Sequence, residues 1–489
     1  MKTRILSLIL TLALLLSAFA GCSGETENSP GMTDNSVQSG ADDILSENNH
    51  PASGTEGLYP APDYSDFVMP EETDSLTVYG CGFSTTMLNR AVEIFRSMYP
   101  NVMVDFQTYS EDEYRSLLRT EIPAGRGPDF VFGNANDFQD VYKTMKTGLF
   151  EDLNPYLMND AEFDFSEYNR AVLDSGLLYG RRYILPLRYS LALYITSEEN
   201  LRDCGIDAAE FGTFNGFLDA CTRYGEQNPD NHLLQYGALL GGSIYLRKLF
   251  LGFAYQMIDY EAEQVVLDEE AFRRGMELCR MWYGSPAKSN PDAVDMSGGA
   301  VLFRRCLFLD GMTTDLECIS GAYALELNGE TPVWAAIPDE QDGVTAQIEF
   351  FGAIPTSSRN KLNAYRLLKI FLSRDIQLGN ENAEDAYSIT PTGFFGMPVH
   401  NPSLKKRLEL IRDLLPLYNP TDSESMPPVR QEDIDALYAL TERISCAVML
   451  PPILLTYVKN NMEPYLKGKK DFEDCFKKLL NTLELYKDE

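Results

Sequence analysis

The amino-acid sequence predicts an α/β fold in which strands alternate with helices along the chain. Between residues 76 and 133, the apolar residues change from a two-residue period to a helical period and back, in the order β-α-β-α-β. That order predicts a parallel sheet with helices on its faces. Of the 489 residues, 44% are apolar and 23% are charged, a balance that supports buried cores and excludes a disordered or fibrous chain.

Each element of this segment has its own signal. Apolar residues that alternate or form a short run predict strands at 76–80, 102–106 and 130–132. The first helix has apolar residues at helical spacing and ends before Pro100. The second helix is predicted to begin at the capping box formed by Ser110 and Glu113. Its apolar face consists of Tyr114, Leu117, Leu118 and Ile122.

The charge balance excludes one class of partner. The chain has 41 Lys and Arg residues against 73 Asp and Glu residues, which gives a net charge of −32. A protein with this charge repels phosphate backbones, so no nucleic-acid partner is expected.

The first residues predict export from the cell. Two basic residues precede an apolar run at 5–20, which is too short and wrongly flanked to span a membrane. The run ends in the residues FAGC at 19–22, which resemble a bacterial lipoprotein signal. The resemblance implies a signal peptide at 1–21 and lipidation of Cys22. An ordinary secretory peptide with an incidental cysteine is the alternative.

The segment after the signal predicts a tether. Residues 22–75 are rich in Gly, Ser, Asn, Pro and Thr, and the part from 23 to 75 has twelve acidic residues and no Lys or Arg. This composition predicts a disordered acidic segment that holds the folded body away from an anionic envelope. The remaining residues, 76–489, have a length that suits two lobes of about two hundred residues each.

Cysteine and histidine spacing predicts no metal site. The three histidines are far apart, and no two cysteines form a CxxC pair. Export would allow disulfides to form, but the irregular spacing points to no pairing, and buried free thiols are the main expectation. The cysteines other than Cys22 are Cys81, Cys204, Cys221, Cys279, Cys306, Cys318, Cys446 and Cys475.

Several segments, in the right order, resemble the extracellular solute-binding proteins of bacterial ABC importers, especially those that bind sugars. Residues 148–156 (GLFEDLNPY) and 180–193 (GRRYILPLRYSLAL) are very similar to framework motifs of that family. Residues Ile195 and Thr196 depart from the Tyr-Asn that usually follows. The other matching segments are 91–100, 127–131, 259–272, 354–372 and 468–486.

The resemblance implies a two-lobed periplasmic-binding-protein-like fold of type II. Each lobe would be a mostly parallel sheet flanked by helices, and a hinge of crossing strands would join them. Lobe one is expected at 76–190 plus 355–395, and lobe two at 191–354 plus 396–489.

Candidate ligand-binding residues lie in the loops after the first and third strands. In sheets of this kind, ligands bind beyond the carboxyl ends of the strands, beside helix N-termini. The candidates are Phe83 and Ser84 after the first strand, and Asn134, Asn136 and Asp137 after the third. Polar side chains there would bond sugar hydroxyls, and Phe83 would offer an apolar face. The alternative is that Ser84 caps a helix and the asparagines serve a turn.

A second group of candidates is placed by resemblance near the crossings between lobes. Arg188 and Tyr189 precede the first predicted crossing, and Glu349 and Phe350 lie near the second. Asp310 and Gly311 follow a strand of lobe two. The alternatives are a structural ion pair for Arg188, a turn at Asp310, and core packing for Phe350.

The resemblance implies a binding protein rather than an enzyme, with no cofactor and no metal. It would capture a small solute, expected to be an oligosaccharide, and deliver it to the permease subunits of an ABC transporter. Its lipid would hold it, as a monomer, on the extracellular face of the cell membrane. The alternatives are a lipoprotein that reports a ligand to a membrane receptor, and an exported glycan-active enzyme, although no GxSxG, HExxH or P-loop motif is present.

Overall fold

The computed structural model describes residues 62–229, 231–234, 249–282, 306–309, 314–389, 394–417 and 427–489. The predicted signal peptide, Cys22 and most of the predicted tether lie outside these ranges. The described chain alternates strands and helices along its whole length, which confirms the α/β class.

The first five elements follow the predicted order. They are β1 (Ser75–Cys81), α1 (Thr85–Met98), β2 (Met103–Tyr109), α2 (Glu111–Glu121) and β3 (Val131–Gly133). Strand β1 pairs in parallel with β2 over its full length, and Val78 also forms a parallel bridge to Phe130. The predicted β-α-β-α-β segment with parallel pairing is therefore confirmed.

Local sequence accounts for the two helices. One face of α1 is buried because its apolar residues recur at helical spacing. At the start of α2, the Ser110 hydroxyl accepts from the Glu113 N–H at 3.4 Å, and the Glu113 carboxylate accepts from the Ser110 N–H at 3.1 Å. This reciprocal pair is the capping box that the sequence predicts.

The chain then leads into two long buried strands. The elements are α3 (Val141–Lys146), α4 (Asn154–Met158), α5 (Arg170–Asp174), β4 (Leu177–Leu178), β5 (Arg181–Arg182), β6 (Leu185–Leu191), β7 (Leu193–Ser197), α6 (Glu198–Cys204) and α7 (Phe214–Gln227). Every residue of β6 and β7 is buried, and only Ala192 separates the two strands.

The middle of the chain adds short strands around the second of these. The elements are β8 (His232–Leu234), β9 (Ile258–Asp259), β10 (Gln264–Val265), α8 (Glu269–Trp282), β11 (Cys306–Phe308), α9 (Asp315–Leu327) and β12 (Pro332–Ala336). Strand β11 pairs in parallel with β8, and β12 pairs antiparallel with β7.

The remainder of the chain contains one long strand and most of the long helices. The elements are β13 (Val344–Ala353), α10 (Lys361–Leu372), α11 (Arg374–Leu378), β14 (Met397–Pro398), α12 (Asn401–Leu414), α13 (Gln431–Glu442), β15 (Ile444–Val448), α14 (Pro452–Leu466) and α15 (Phe472–Lys487).

Strand β13 is the centre of a mixed five-stranded sheet. It pairs antiparallel with β6 and β3 and parallel with β15, and β14 lies outside β6. The pairing with β3 needs a glycine, because a Cβ at Gly133 would lie 2.6 Å from the ring of Phe351. Glycine at this position therefore lets the two backbones approach.

The apolar side chains form two main cores. The first core takes residues from β1, β3, β6, β13 and α10, and the second takes residues from α7, α8, α14 and α15. Tyr260 packs against both cores. The two cores fit a two-lobed molecule, while the lobe boundaries given above stay a prediction.

Residues 62–74 lie on the folded body, although their composition predicts that they belong to the tether. The Phe67 ring lies 5.1 Å from the ring of Tyr156, and the Tyr64 hydroxyl donates to Asp152 at 2.5 Å. Further along, Arg366 pairs with Glu72 at 2.8 Å. We call residues 62–74 the strap; its partners all belong to the first core.

The eight cysteines that the structure describes are all free, and all except the half-buried Cys204 are buried. This confirms the expectation of buried thiols. Within the described ranges, no group of His, Cys, Asp or Glu could hold a metal ion. None of the helices described has the length and apolar character that a membrane span requires.

Truncating core leucines should lower stability without reaching a ligand site. Leu367 and Leu479 are fully buried, one in each core. Leu367→Ala and Leu479→Ala should each lower the free energy of unfolding by about 2–5 kcal/mol, because each leaves a cavity. Urea unfolding measures this, with Leu485→Ala as the control on α15, since Leu485 is 71% exposed. Equal stability of all three variants would contradict the core assignment.

Candidate functional site

The turn after β1 is closed by Ser84. Its hydroxyl donates to the Cys81 carbonyl at 2.9 Å and accepts from the Cys81 N–H at 3.1 Å, and the side chain is buried. Ser84 therefore shapes the chain between β1 and α1, as its structural alternative predicts. Phe83 lies in the same turn, and its side chain is outside what the structure describes.

The loop after β3 is held by its own polar side chains. The Asn134 side-chain oxygen accepts from the Asn136 N–H at 2.8 Å, and the Asp137 carboxylate accepts from the Asn134 N–H at 2.9 Å. From α2, Arg119 donates to the carbonyl of Asn136 at 3.0 Å and to that of Asp137 at 2.8 Å. Of the three candidates, only Asn136 is exposed. In this structure Asn134 and Asp137 serve the turn through their side chains, and Asn136 serves it through its backbone.

Asp137 is a buried carboxylate beside a guanidinium. Its side chain lies 3.4 Å from the Nε of Arg115. Desolvation raises the pKa of Asp137, and the Asn134 N–H and the charge of Arg115 lower it. Desolvation is the larger effect, so the pKa is raised to about 6. Burial raises the pKa of the Cys81 thiol to about 11, and the charge of Asp137 adds to that rise. The ends of β1 and β3 thus meet, as expected for the ligand edge of a parallel sheet.

Two residues of α2 complete this edge, and neither is among the candidates predicted from the sequence. Glu111 pairs with Arg115 at 3.0 Å, and a Cβ added to Gly82 would lie 3.4 Å from the Glu111 carboxylate. The signal was available, because Glu111 opens the helix directly after β2, where parallel strands end. We call Ser84, Glu111, Arg115, Asn134 and Asp137 the edge cluster.

Arg188 lies inside the first core. It is fully buried, and its guanidinium donates to the carbonyls of Ile376 and Gln377 at 3.2 and 3.0 Å. The guanidinium carbon lies 4.3 Å from the ring centre of Phe394. Burial, and then the charge of Arg407, lower the pKa of Arg188. Helix carbonyls and an aromatic face thus hold this residue, so it is part of the framework in this structure.

Tyr189 is also fully buried. It lies in the middle of the sheet, opposite Ile348 on β13 and Met397 on β14. Burial raises the pKa of its hydroxyl. Truncation of the Tyr189 side chain would first affect the packing of the first core, because the ring has no exposed surface.

The next residues of the same strands form a polar group at the transition between the cores. The Ser190 hydroxyl and the Gln347 amide both donate to the Glu349 carboxylate, the latter at 3.1 Å. Glu349 is half-buried, whereas Phe350 beside it is buried. The Phe350 ring lies 4.9 Å from that of Phe395, which is 43% exposed. We call Ser190, Gln347, Glu349, Phe350 and Phe395 the hinge cluster.

A glycine lets the Phe395 segment approach the sheet. Gly396 has a φ of +94°, and a Cβ there would lie 2.9 Å from the Tyr189 carbonyl. Its neighbour Phe395 is thereby positioned over β13.

The structure brings together Glu349 and Phe350 of the sequence candidates and adds three partners. Gln347 lies two residues before Glu349 on one strand, so strand periodicity could have found it. Phe395 had no local signal, because its place depends on the pairing of β14 with β6. Asp310 and Gly311 lie outside the described residues.

Comparison with known proteins finds one family that matches part of the chain. Residues 85–271 match the bacterial extracellular solute-binding proteins. A search of curated proteins found no match.

Solved structures agree on the fold of this chain. The sugar-binding protein MalE from Xanthomonas citri has a TM-score of 0.56 at 14% identity, over 85% of this chain and 97% of that one. A family 1 protein from Alicyclobacillus acidocaldarius has a TM-score of 0.53 at 14% identity, over 86% and 100% of the two chains. These similarities confirm the two-lobed periplasmic-binding-protein-like fold that the sequence resemblance implies.

Ionisation of the Asp137 carboxyl should make the protein less stable. The pKa of Asp137 in the folded protein, about 6, lies above the ordinary value of 3.8. The stability that protonated Asp137 contributes is therefore fully present below the unfolded pKa and is lost as the pH rises through about 6. Relative to Asp137→Asn, the wild type should lose about 2 kcal/mol of unfolding free energy between pH 4 and 6.5.

Urea unfolding at the two pH values measures this difference. The control is Leu485→Ala, because Leu485 is 71% exposed and does not titrate, so this variant should keep the wild-type pH dependence. If the difference in unfolding free energy between the wild type and Asp137→Asn were the same at both pH values, the raised pKa of Asp137 would be wrong.

Proposed function

We propose that this protein captures an oligosaccharide in a cleft between its lobes and delivers it to the permease of an ABC transporter. The observation that carries the proposal is the hinge cluster, where hydrogen-bonding groups and an exposed aromatic ring lie together at the transition between the two cores. The family match supports solute binding. The similarity to MalE, which is described as sugar-binding, adds a fold-level analogy.

The chemistry of the hinge cluster suits a neutral sugar. A carboxylate and an amide can accept from and donate to hydroxyls, and a ring edge can cover an apolar sugar face. Glu349 is already oriented by Ser190 and Gln347, so it need not lose further side-chain freedom on binding. Binding sites of this kind combine apolar area with a few placed polar groups.

The same geometry supports binding rather than hydrolysis. Glycosidases use two carboxylates on either side of the scissile bond, one of them a proton donor. Within the described residues, the hinge cluster has the single carboxylate of Glu349. The hinge cluster therefore does not support the alternative of an exported glycan-active enzyme. A sensing role for a membrane receptor would use the same binding chemistry and remains the alternative.

Binding should depend on the hinge cluster. Titration calorimetry with a panel of neutral oligosaccharides, followed by product analysis, tests both capture and the integrity of the bonds. Glu349→Gln should weaken binding by about tenfold to a hundredfold, the range for a charge-assisted hydrogen bond. Phe395→Ala should weaken it by about twofold to tenfold.

The matched control is Val68→Ala, because Val68 is 81% exposed on the strap. It should bind as the wild type does. Wild-type dissociation constants for both hinge-cluster variants would place the ligand elsewhere. Cleaved oligosaccharide products would contradict a pure binding role.

Anchoring rests on the lipoprotein signal and is proposed separately. Cys22 would carry diacylglycerol at the mature N-terminus and hold the protein on the extracellular face of the membrane. Cys22→Ser should release the protein into the medium, which fractionation and immunoblotting measure. Mass spectrometry that found an unmodified N-terminus at another residue would refute anchoring and leave the binding proposal intact.

A further inference from the structure

Helix α3 of the first core makes a second connection to the second core. Two tyrosine hydroxyls from the second-core side, Tyr260 and Tyr486, donate to the carboxylate of Asp140, at 2.5 and 2.9 Å. These residues are 120 and 346 positions away from Asp140 in the sequence. The connection is thus a tertiary contact, separate from the strands that cross between the cores.

Asp140 has all of its acceptor positions in use. Its other carboxylate oxygen accepts from the N–H groups of Tyr142 and Lys143, at 2.9 and 3.2 Å, and so caps α3. The residue is 4% exposed. The hydroxyls of the second core therefore satisfy an oxygen that α3 itself leaves free.

Aromatic packing reinforces this pair of hydrogen bonds. The rings of Tyr142 and Tyr260 are stacked, with centres 5.1 Å apart and planes at 24°. The Tyr142 hydroxyl accepts from the Met449 N–H at 3.0 Å. Lys143 lies 3.7 Å from the ring centre of Tyr486. The contact therefore joins one short helix to three separate segments.

Its edge is polar and partly exposed. The Tyr179 hydroxyl donates to the Tyr260 carbonyl at 2.9 Å, and Lys146 forms an ion pair with Glu263. Both members of that ion pair are exposed, at 39% and 61%. We call the whole set, centred on Asp140, Tyr142, Tyr260 and Tyr486, the Asp140 contact.

We propose that the Asp140 contact is a releasable lock between the two cores. The proposal rests on the proposed function in one respect, namely that the lobes move relative to each other. A hinge of crossing strands permits rotation, and contacts outside the hinge decide which arrangement is populated. The Asp140 contact is made in the arrangement described here and must break if α3 and the C-terminal helix separate.

The chemistry makes release possible. When the cores part, water can replace both tyrosine hydroxyls at Asp140, so hydrogen bonds are exchanged rather than lost. The carboxylate stays attached to α3 through the two N–H groups. An apolar seam of the same area would instead expose its surface to water on opening.

The lock is tested in the ligand-free protein. Tyr260→Phe with Tyr486→Phe keeps both rings and removes both hydroxyls. Solution scattering should show a larger radius of gyration than that of the wild type. Hydrogen exchange in residues 258–265 and at the end of α15 should quicken by about tenfold or more, the equivalent of one charge-assisted hydrogen bond.

A matched control is available within one core. The Tyr365 hydroxyl donates to Asp160 at 2.8 Å, and both residues belong to the first-core side. Tyr365→Phe removes a tyrosine–carboxylate bond of the same kind, so it should lower stability without changing the radius of gyration. If the double variant does not fold, Asp140→Asn replaces it, because asparagine still caps a helix.

A radius and an exchange pattern equal to those of the wild type in the double variant or in Asp140→Asn would overturn the lock. The lock would also be overturned if Tyr365→Phe gave the same increase in radius and exchange rate, because loss of any tyrosine–carboxylate bond would then have this effect. Because no ligand is used, the result is independent of oligosaccharide binding. The two proposals can therefore fail separately. If the double variant is loosened but the wild type binds no oligosaccharide, the lock is supported and the proposed function is refuted.

Discussion

The pairing of β13 is the constraint on which the arrangement of this protein depends. One strand of ten residues joins β15 at its beginning and both β3 and β6 at its end. The register of β13 therefore sets the places of the first core, the crossing strands and the hinge cluster together. Because a shift by one residue would turn every side chain to the other face, Glu349 and Phe350 depend on this register. The close approach at Gly133 and Gly396 serves the same pairing.

Several buried charged side chains of the described residues have polar partners close by, despite the large net negative charge. Asp315 and Arg407 are each 1% exposed by side chain and form a bidentate pair at 2.6 and 2.8 Å. Burial would raise the pKa of Asp315, but Arg407 outweighs it and the pKa is lowered. Arg188 and Asp140 are instead held by carbonyls, N–H groups and hydroxyls. Each of these buried side chains therefore has polar partners that offset part of the cost of burying its charge.

Local patterns were enough for the framework and not for the site. The capping box of Ser110 and the apolar face of α1 depend on residues close in sequence, so both were predictable. Arg188 looked like a cleft residue because it precedes a crossing, yet its partners are helix carbonyls some 190 residues later. Phe395 gave no signal for the same reason. Which face of a strand meets solvent is decided by distant segments, which a single sequence does not bring together.

The strap has a mechanical consequence. Tyr64, Phe67 and Glu72 attach residues 62–74 to α4, α10 and the loop before α4, all on the first core. A pull on the chain from its N-terminal side would therefore load the first core along a line of side-chain contacts. Tension on the leading segment would reach the second core only after the first, through the crossing strands and the Asp140 contact.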